Sequence, residues 1–184
     1  MKETKPQPKQ ISLSKRLCFT ALFSALCLIG TLISVPLPIG YFNLGDVFVL
    51  LSAWCLGPLF GVTAAAVGSA LSDLFLGYSL YAPATFVIKG CVALTASLLP
   101  IAFHVFIKKE SLLLLSRALA ATLAETVMIV GYFLFESLLL GYGWGATASL
   151  LGNSLQAAVG VIGGTVLFAA LKRLPPFKKL FPLL

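Results

Sequence analysis

Between Leu17 and Leu171 the chain is a succession of apolar runs of about twenty residues, the length that carries a helix across the hydrocarbon core of a bilayer. Short gaps containing glycine, proline or paired lysines separate them. Charged residues make up 10% of the sequence and hydrophobic ones 59%, whereas a soluble domain is roughly a quarter charged. Such a chain has too little polar surface to cover a water-facing body. It reads as an all-α integral membrane protein of six transmembrane helices, forming a single membrane domain over residues 1–184.

Proline and glycine punctuate the expected spans. The first, Leu17 to Leu37, stops at Pro36 and Pro38, because proline cannot donate to the helical ladder. A turn is expected from Ile39 to Asn43. Asn43 and Asp46, residue types that start helices, then open a short second helix, Val47 to Leu56, which Gly57 and Pro58 interrupt. The third span, Leu59 to Leu76, carries Gly61, Ala64, Ala65 and Gly68, a spacing that lets neighbouring helices approach closely. After the turn Gly77 to Pro83 come the fourth span, Thr85 to Ile107, and a long fifth run, Leu112 to Leu140, which must tilt or protrude. The glycine-rich loop Gly141 to Gly145 leads to the sixth, Ala148 to Leu171.

The net charge of +7 is distributed as topology rather than as a grip on nucleic acid. Lys2, Lys5, Lys9, Lys15 and Arg16 precede the first run, Lys108 and Lys109 fill one gap, and Lys172, Arg173, Lys178 and Lys179 follow the last. With six spans all three groups fall on one side, which the positive-inside rule makes cytoplasmic. Residues 1–16 and 172–184 are therefore expected to be basic cytoplasmic tails. The gaps on the other side contain no lysine or arginine.

A charge kept inside a span is costly, so each one is a candidate for function. Asp46, Asp73, Lys89 and Glu136 all fall in the outer half of the expected bundle, joined by Asn153 and Gln156 at i and i+3 on the sixth span, while Glu125 sits nearer the middle of the fifth. Tyr81, Tyr132 and further aromatic residues gather at the same face. Polar groups converging among apolar and aromatic walls are what a small-molecule site requires. Plainer roles also fit: an N-cap for Asp46, structural pairing of Asp73 with Lys89, an interfacial aromatic belt for the tyrosines, and snorkelling for Glu136 and Arg117.

What is missing narrows the function. No phosphate-gripping loop ending in Gly-Lys-Ser or Gly-Lys-Thr is present, so the chain is not expected to hydrolyse ATP. His104, the one histidine, lies at the opposite end from the carboxylates, which leaves no Ser-His constellation and no enzyme reading. Cys18, Cys27, Cys55 and Cys91 are isolated in apolar runs without metal-site spacing and read as small core residues. No metal and no cofactor is expected.

The stretch Asn43-Leu44-Gly45-Asp46, followed by Gly57-Pro58, Gly61, Asp73, Gly77-Tyr78, Tyr81-Ala82-Pro83-Ala84-Thr85 and Lys89-Gly90, resembles the substrate-binding S components of energy-coupling factor (ECF) vitamin transporters. The resemblance implies a six-helix protein in a bacterial plasma membrane that captures a vitamin from outside and delivers it inward. Its implied partners are a transmembrane coupling protein and two cytoplasmic ATPase subunits. Ala21 and Ala25 match the family's pair of alanines on the first helix that contacts the coupling protein. Small residues at i and i+4 suit such close packing. The resemblance also implies that loops at Ile39 to Asn43 and Gly77 to Pro83 close over the ligand.

The expected ligand contacts are Asp46, Asp73, Tyr81, Lys89, Glu125, Tyr132, Glu136, Asn153 and Gln156. That set suits a small neutral or zwitterionic heteroaromatic, stacked on tyrosine and bonded by amides and carboxylates. A pyridoxine-like or hydroxymethylpyrimidine-like compound is favoured, with riboflavin and pantothenate open. The alternative in another class is a stand-alone secondary transporter that couples to protons through Glu125. A purely structural membrane protein fits poorly with so many buried charges.

Overall fold

In the computed structural model, which describes residues 12–36, 41–104 and 110–181, nearly every element is helical. The chain runs through α1 (Leu13–Leu32), an antiparallel ribbon of β1 (Ser34–Pro36) and β2 (Tyr41–Asn43), α2 (Gly45–Phe75), α3 (Ala82–His104), α4 (Glu110–Leu134), α5 (Leu150–Leu171) and α6 (Pro175–Leu180). A π-helical turn, Phe135–Leu139, extends α4, and a 3-10 segment, Gly143–Ser149, leads into α5. Among the described residues, 5 helices are long and apolar enough to cross a membrane.

One of these five, α2, doubles back on itself. Gly57 sits at φ +75°, a left-handed backbone conformation that L side chains resist, and Pro58 follows it. Ser52 Oγ donates to the Gly61 carbonyl at 3.1 Å. On a straight helix these residues would be separated by about 13 Å of rise. Asp46 and Asp73, at opposite ends of α2, likewise both come close to Lys89 on α3. The first half of α2, before Gly57, is only about 18 Å long at 1.5 Å per residue, shorter than the bilayer core. Its N-terminus is consequently recessed, and the ribbon lies above it.

The folded-back α2 is the centre of the bundle and packs against α1, α3 and α5. Val49, Leu50, Ala64, Ala65, Val92, Ala93, Ala121, Ala124 and Met128 form the apolar core. Trp54 Nε1 crosses to the Ala96 carbonyl at 3.1 Å, so the indole's one donor is satisfied. Close approach depends on small residues. A Cβ on Gly68 would lie 2.3 Å from the Ser24 carbonyl oxygen, which shows α1 and α2 crossing backbone to backbone. Large apolar side chains such as Leu59, Phe75, Leu119, Leu123, Ile162 and Val166 point outward, as on a perimeter solvated by lipid.

The two described ends of the chain meet. Phe19 and Phe23 on α1 pack on Phe181 just beyond α6, with ring centroids 5.1 and 6.2 Å apart, and the Arg16 guanidinium lies over Phe60 beside the α2 bend. The start of α1, the bend and the chain's last described residues therefore share one end of the bundle.

Several expectations are corrected. The all-helical class holds, but Tyr41–Asn43 pairs with Ser34–Pro36 in a small ribbon where a simple turn was anticipated. The first helix begins and ends earlier than Leu17 to Leu37. The long fifth run is accommodated by a π turn and ends at Gly141, φ +73°. Cys27 and Cys55 are buried, but Cys18 and Cys91 are exposed on the perimeter. Arg117 does not simply snorkel: its guanidinium stacks on Phe168 at 4.6 Å. Lys2, Lys5, Lys9, Pro38, Ile39, Lys108 and Lys109 lie outside the described residues, so the charge arrangement at those positions and the first lid loop are not addressed by the structure.

Candidate functional site

Opposite the end where the first and last described residues meet, a cavity of about 220 Å³ opens among α1, β2, the second half of α2, α3, α4 and α5. Asp73, Tyr81, Lys89, Tyr132, Glu136, Asn153 and Gln156 line it, seven of the nine residues expected from the sequence. Asp46 and Glu125 do not reach the wall. They lie one layer deeper, 0% and 1% exposed.

The floor of the cavity is a chain of polar groups. Asn43 Oδ1 accepts from the Gly45 amide at 2.9 Å and so starts α2. Its Nδ2 donates to Gln156 Oε1 at 2.9 Å, and Gln156 Nε2 donates to Asp46 Oδ2 at 2.6 Å. Asp46 takes its other bond from Lys89 Nζ, an ion pair sealed from solvent. The N-cap reading of Asp46 is thus overturned, because Leu44 stands at the cap and Gln156 and Lys89 take the Asp46 carboxylate. The pairing of Asp73 with Lys89 is overturned as well, because Asp46 takes the ammonium. Lys89 also contacts Met128 Sδ at 2.9 Å and lies 5.8 Å from the centre of the Tyr132 ring.

Glu125 is buried beside this network without a hydrogen-bond partner on either oxygen. Gly160 on α5 makes the space: a Cβ there would sit 2.8 Å from Asp46 Cβ and 3.1 Å from Glu125 Oε1. An ionised carboxylate buried alone is expensive, and the nearby Lys89 ammonium is bonded to Asp46 instead of to Glu125.

The mouth is organised by Glu136, which is buried instead of snorkelling. It lies in the π turn at the end of α4, a distortion often found at functional positions. Tyr81 Oη donates to Glu136 Oε1 at 3.4 Å, and Ser149 Oγ donates to Oε2. One carboxylate thereby ties together the α2–α3 turn and the 3-10 segment. Burial and the Glu136 charge push the Tyr81 phenol up to about 12, so it stays a donor at neutral pH. Tyr81 also stacks edge-on with Tyr78 and Phe135, at 6.3 and 5.3 Å. Deeper in, Thr85 Oγ1 and Tyr132 Oη share a hydrogen bond at 2.9 Å.

Sequence reasoning missed Thr31, Asn43, Ser69, Tyr78, Thr85, Ser149 and Gly152 as lining residues. Serine and threonine in membrane helices usually bond back to their own backbone, so residue type gave no signal for Ser69 or Thr85. Asn43 carried a signal, since an amide beside Asp46 has more donors and acceptors than a helix start consumes. No group of residues among those described has the arrangement to hold a metal ion.

Comparison with known proteins agrees with this architecture. Residues 12–173 match the family model described as "ECF-type riboflavin transporter, S component". An uncharacterized protein of Pyrococcus woesei is 35% identical over 148 residues, covering 79% of this chain and 93% of that protein. A solved structure described as "Structure and mechanism of the S component of a bacterial ECF transporter" superposes with a TM-score of 0.70 at 22% identity, covering 88% of this chain and 98% of the other. That likeness establishes a shared fold.

Proposed function

Because the chain belongs to the family of ECF-type riboflavin transporter S components, making it a multi-pass membrane protein that binds a transport substrate and not an enzyme, we propose that its cavity captures riboflavin. The family's description points to riboflavin over the pyridoxine-like or hydroxymethylpyrimidine-like compound favoured from the sequence. The observation that carries the reading is a partly enclosed cavity with tyrosines at its mouth and a carboxylate, amide and hydroxyl lining, contributed by every long helix. Tyrosine faces suit a flat heteroaromatic ring, and amides and carboxylates suit a polyol chain.

In this reading the cavity opens to the outside and both termini are cytoplasmic, where Lys15, Arg16, Lys172 and Arg173 meet anionic headgroups. Asp73, Tyr81, Lys89, Tyr132, Glu136, Asn153 and Gln156 contact the vitamin, while Asp46 and Glu125 support them from below. Ala21 and Ala25 sit on an outward-facing strip of α1, with Leu22 and Ile29 beside them also exposed. That flat strip is the proposed contact for a transmembrane coupling protein, which two cytoplasmic ATPase subunits drive.

A thermal-shift measurement on the detergent-purified chain tests the ligand, since a compound that binds only the folded state raises its stability. Riboflavin is expected to stabilise the protein while pyridoxine and hydroxymethylpyrimidine do not. Stabilisation by either of those compounds and not by riboflavin sinks the ligand assignment. Uptake into vesicles holding this chain alone, driven by a pH gradient, would instead favour the proton-coupled carrier.

A further inference from the structure

Two residues that line the cavity each carry a buried polar atom without a partner. Ser69 and Asp73 are 1% and 6% exposed, yet Ser69 Oγ and Asp73 Oδ2 make no hydrogen bond. The other buried serines of α2 behave differently. Ser52 Oγ donates to the Val49 carbonyl at 2.7 Å, and Ser72 Oγ donates to the Ser69 carbonyl at 2.6 Å. Around the cavity, Lys89, Gln156 and Asn43 spend their polar groups on one another or on Asp46, and Tyr81 and Ser149 spend theirs on Glu136. Thr85 hydrogen-bonds the Asp73 carboxyl and also shares its hydroxyl with Tyr132, which leaves Oδ2 as the Asp73 oxygen without a bond. Lys89, the cation nearest Asp73, is held by Asp46.

An unmade hydrogen bond at a buried group costs the full desolvation of that group. Ser69 and Asp73 are four residues apart on α2, on one helical face, with about 5–6 Å between their Cβ atoms. They present a hydroxyl donor next to a carboxylate acceptor, both on the cavity wall. The complementary ligand edge is an N–H flanked by a carbonyl, the imide edge of a flavin ring.

Resting on the riboflavin reading above, we infer that Ser69 and Asp73 form a donor–acceptor pair that recognises the imide edge of the bound ring, Asp73 accepting from the imide N–H and Ser69 donating to an adjacent carbonyl. The ring then enters edge-first toward the second half of α2. The polyol chain is left to Asn153.

The test compares binding of riboflavin, of lumiflavin, which keeps the ring and lacks the polyol, and of riboflavin methylated at the imide nitrogen, read by quenching of flavin fluorescence. In the unmodified protein the methylated compound is expected to bind at least tenfold more weakly than riboflavin. Asp73→Ala and Ser69→Ala are expected to weaken riboflavin and lumiflavin by similar factors, with Asp73→Asn recovering part of the loss through its carbonyl. In Asp73→Ala the penalty for methylation should shrink, since contacts that share a partner are not additive. Equal binding of riboflavin and its methylated form overturns the pair assignment while leaving riboflavin capture intact. So does a loss in Asp73→Ala confined to riboflavin and absent for lumiflavin, which would put the pair on the polyol. Failure of the unmodified protein to bind any flavin removes the function reading and this inference together.

Discussion

Lys89 Nζ donates to Asp46 Oδ1 between α3 and the first turn of α2, with both side chains sealed from solvent and Gln156 completing the carboxylate from α5. The pair fastens three helices at the base of the cavity. Removing one member of a buried pair strands the other charge, at about 3–5 kcal/mol. Lys89→Met and Asp46→Asn are each expected to lower the unfolding midpoint sharply in detergent. The double variant should recover much of the loss, a coupling that a double-mutant cycle measures directly.

Glu125 presents the opposite case. It is buried as deeply as Asp46, but neither oxygen has a partner. Glu125→Gln breaks no bond and removes a carboxylate that is costly to bury. Stability is expected to stay level or rise, and a large fall would show that Glu125 carries a structural bond the geometry lacks.

Gly160 leaves the space that Asp46 and Glu125 occupy, with a Cβ meeting them at 2.8 and 3.1 Å. Gly160→Ala overpacks this layer at a cost of about 1–3 kcal/mol. Combining it with Glu125→Ala should relieve part of that cost, which thermal unfolding of the single and double variants can check.

Glu136 joins Tyr81 to Ser149 at the mouth of the cavity. Glu136→Ala is expected to free the α2–α3 turn from the 3-10 segment and to raise the ligand's dissociation rate more than it changes the association rate. Stopped-flow fluorescence with riboflavin separates the two rates.

The strip bearing Ala21 and Ala25 is exposed on α1 and contributes nothing to the cavity lining. Ala21→Trp or Ala25→Trp should leave riboflavin affinity unchanged while preventing co-purification with the coupling protein. Loss of vitamin binding in these variants would separate the strip from its proposed role.

The sequence by itself determined the solvent, the all-helical class and the level at which the polar residues gather. Run length and the cost of buried charge are one-dimensional constraints, and they fix the depth of Asp73, Lys89, Glu136 and Gln156 without knowledge of any neighbour. Gly57-Pro58 was likewise readable as a break, because its cause is local backbone chemistry. Only the tertiary structure decided who pairs with whom. Asp46 and Asp73 are both carboxylates near Lys89, and choosing between them depends on how α2 folds back and how closely α5 approaches at Gly160. The same applies to Ser69: a serine in an apolar helix is silent until the packing shows that its hydroxyl, unlike those of Ser52 and Ser72, has not been spent on the backbone. Depth follows from the order of residues along the chain, whereas pairing is set by which helix faces meet.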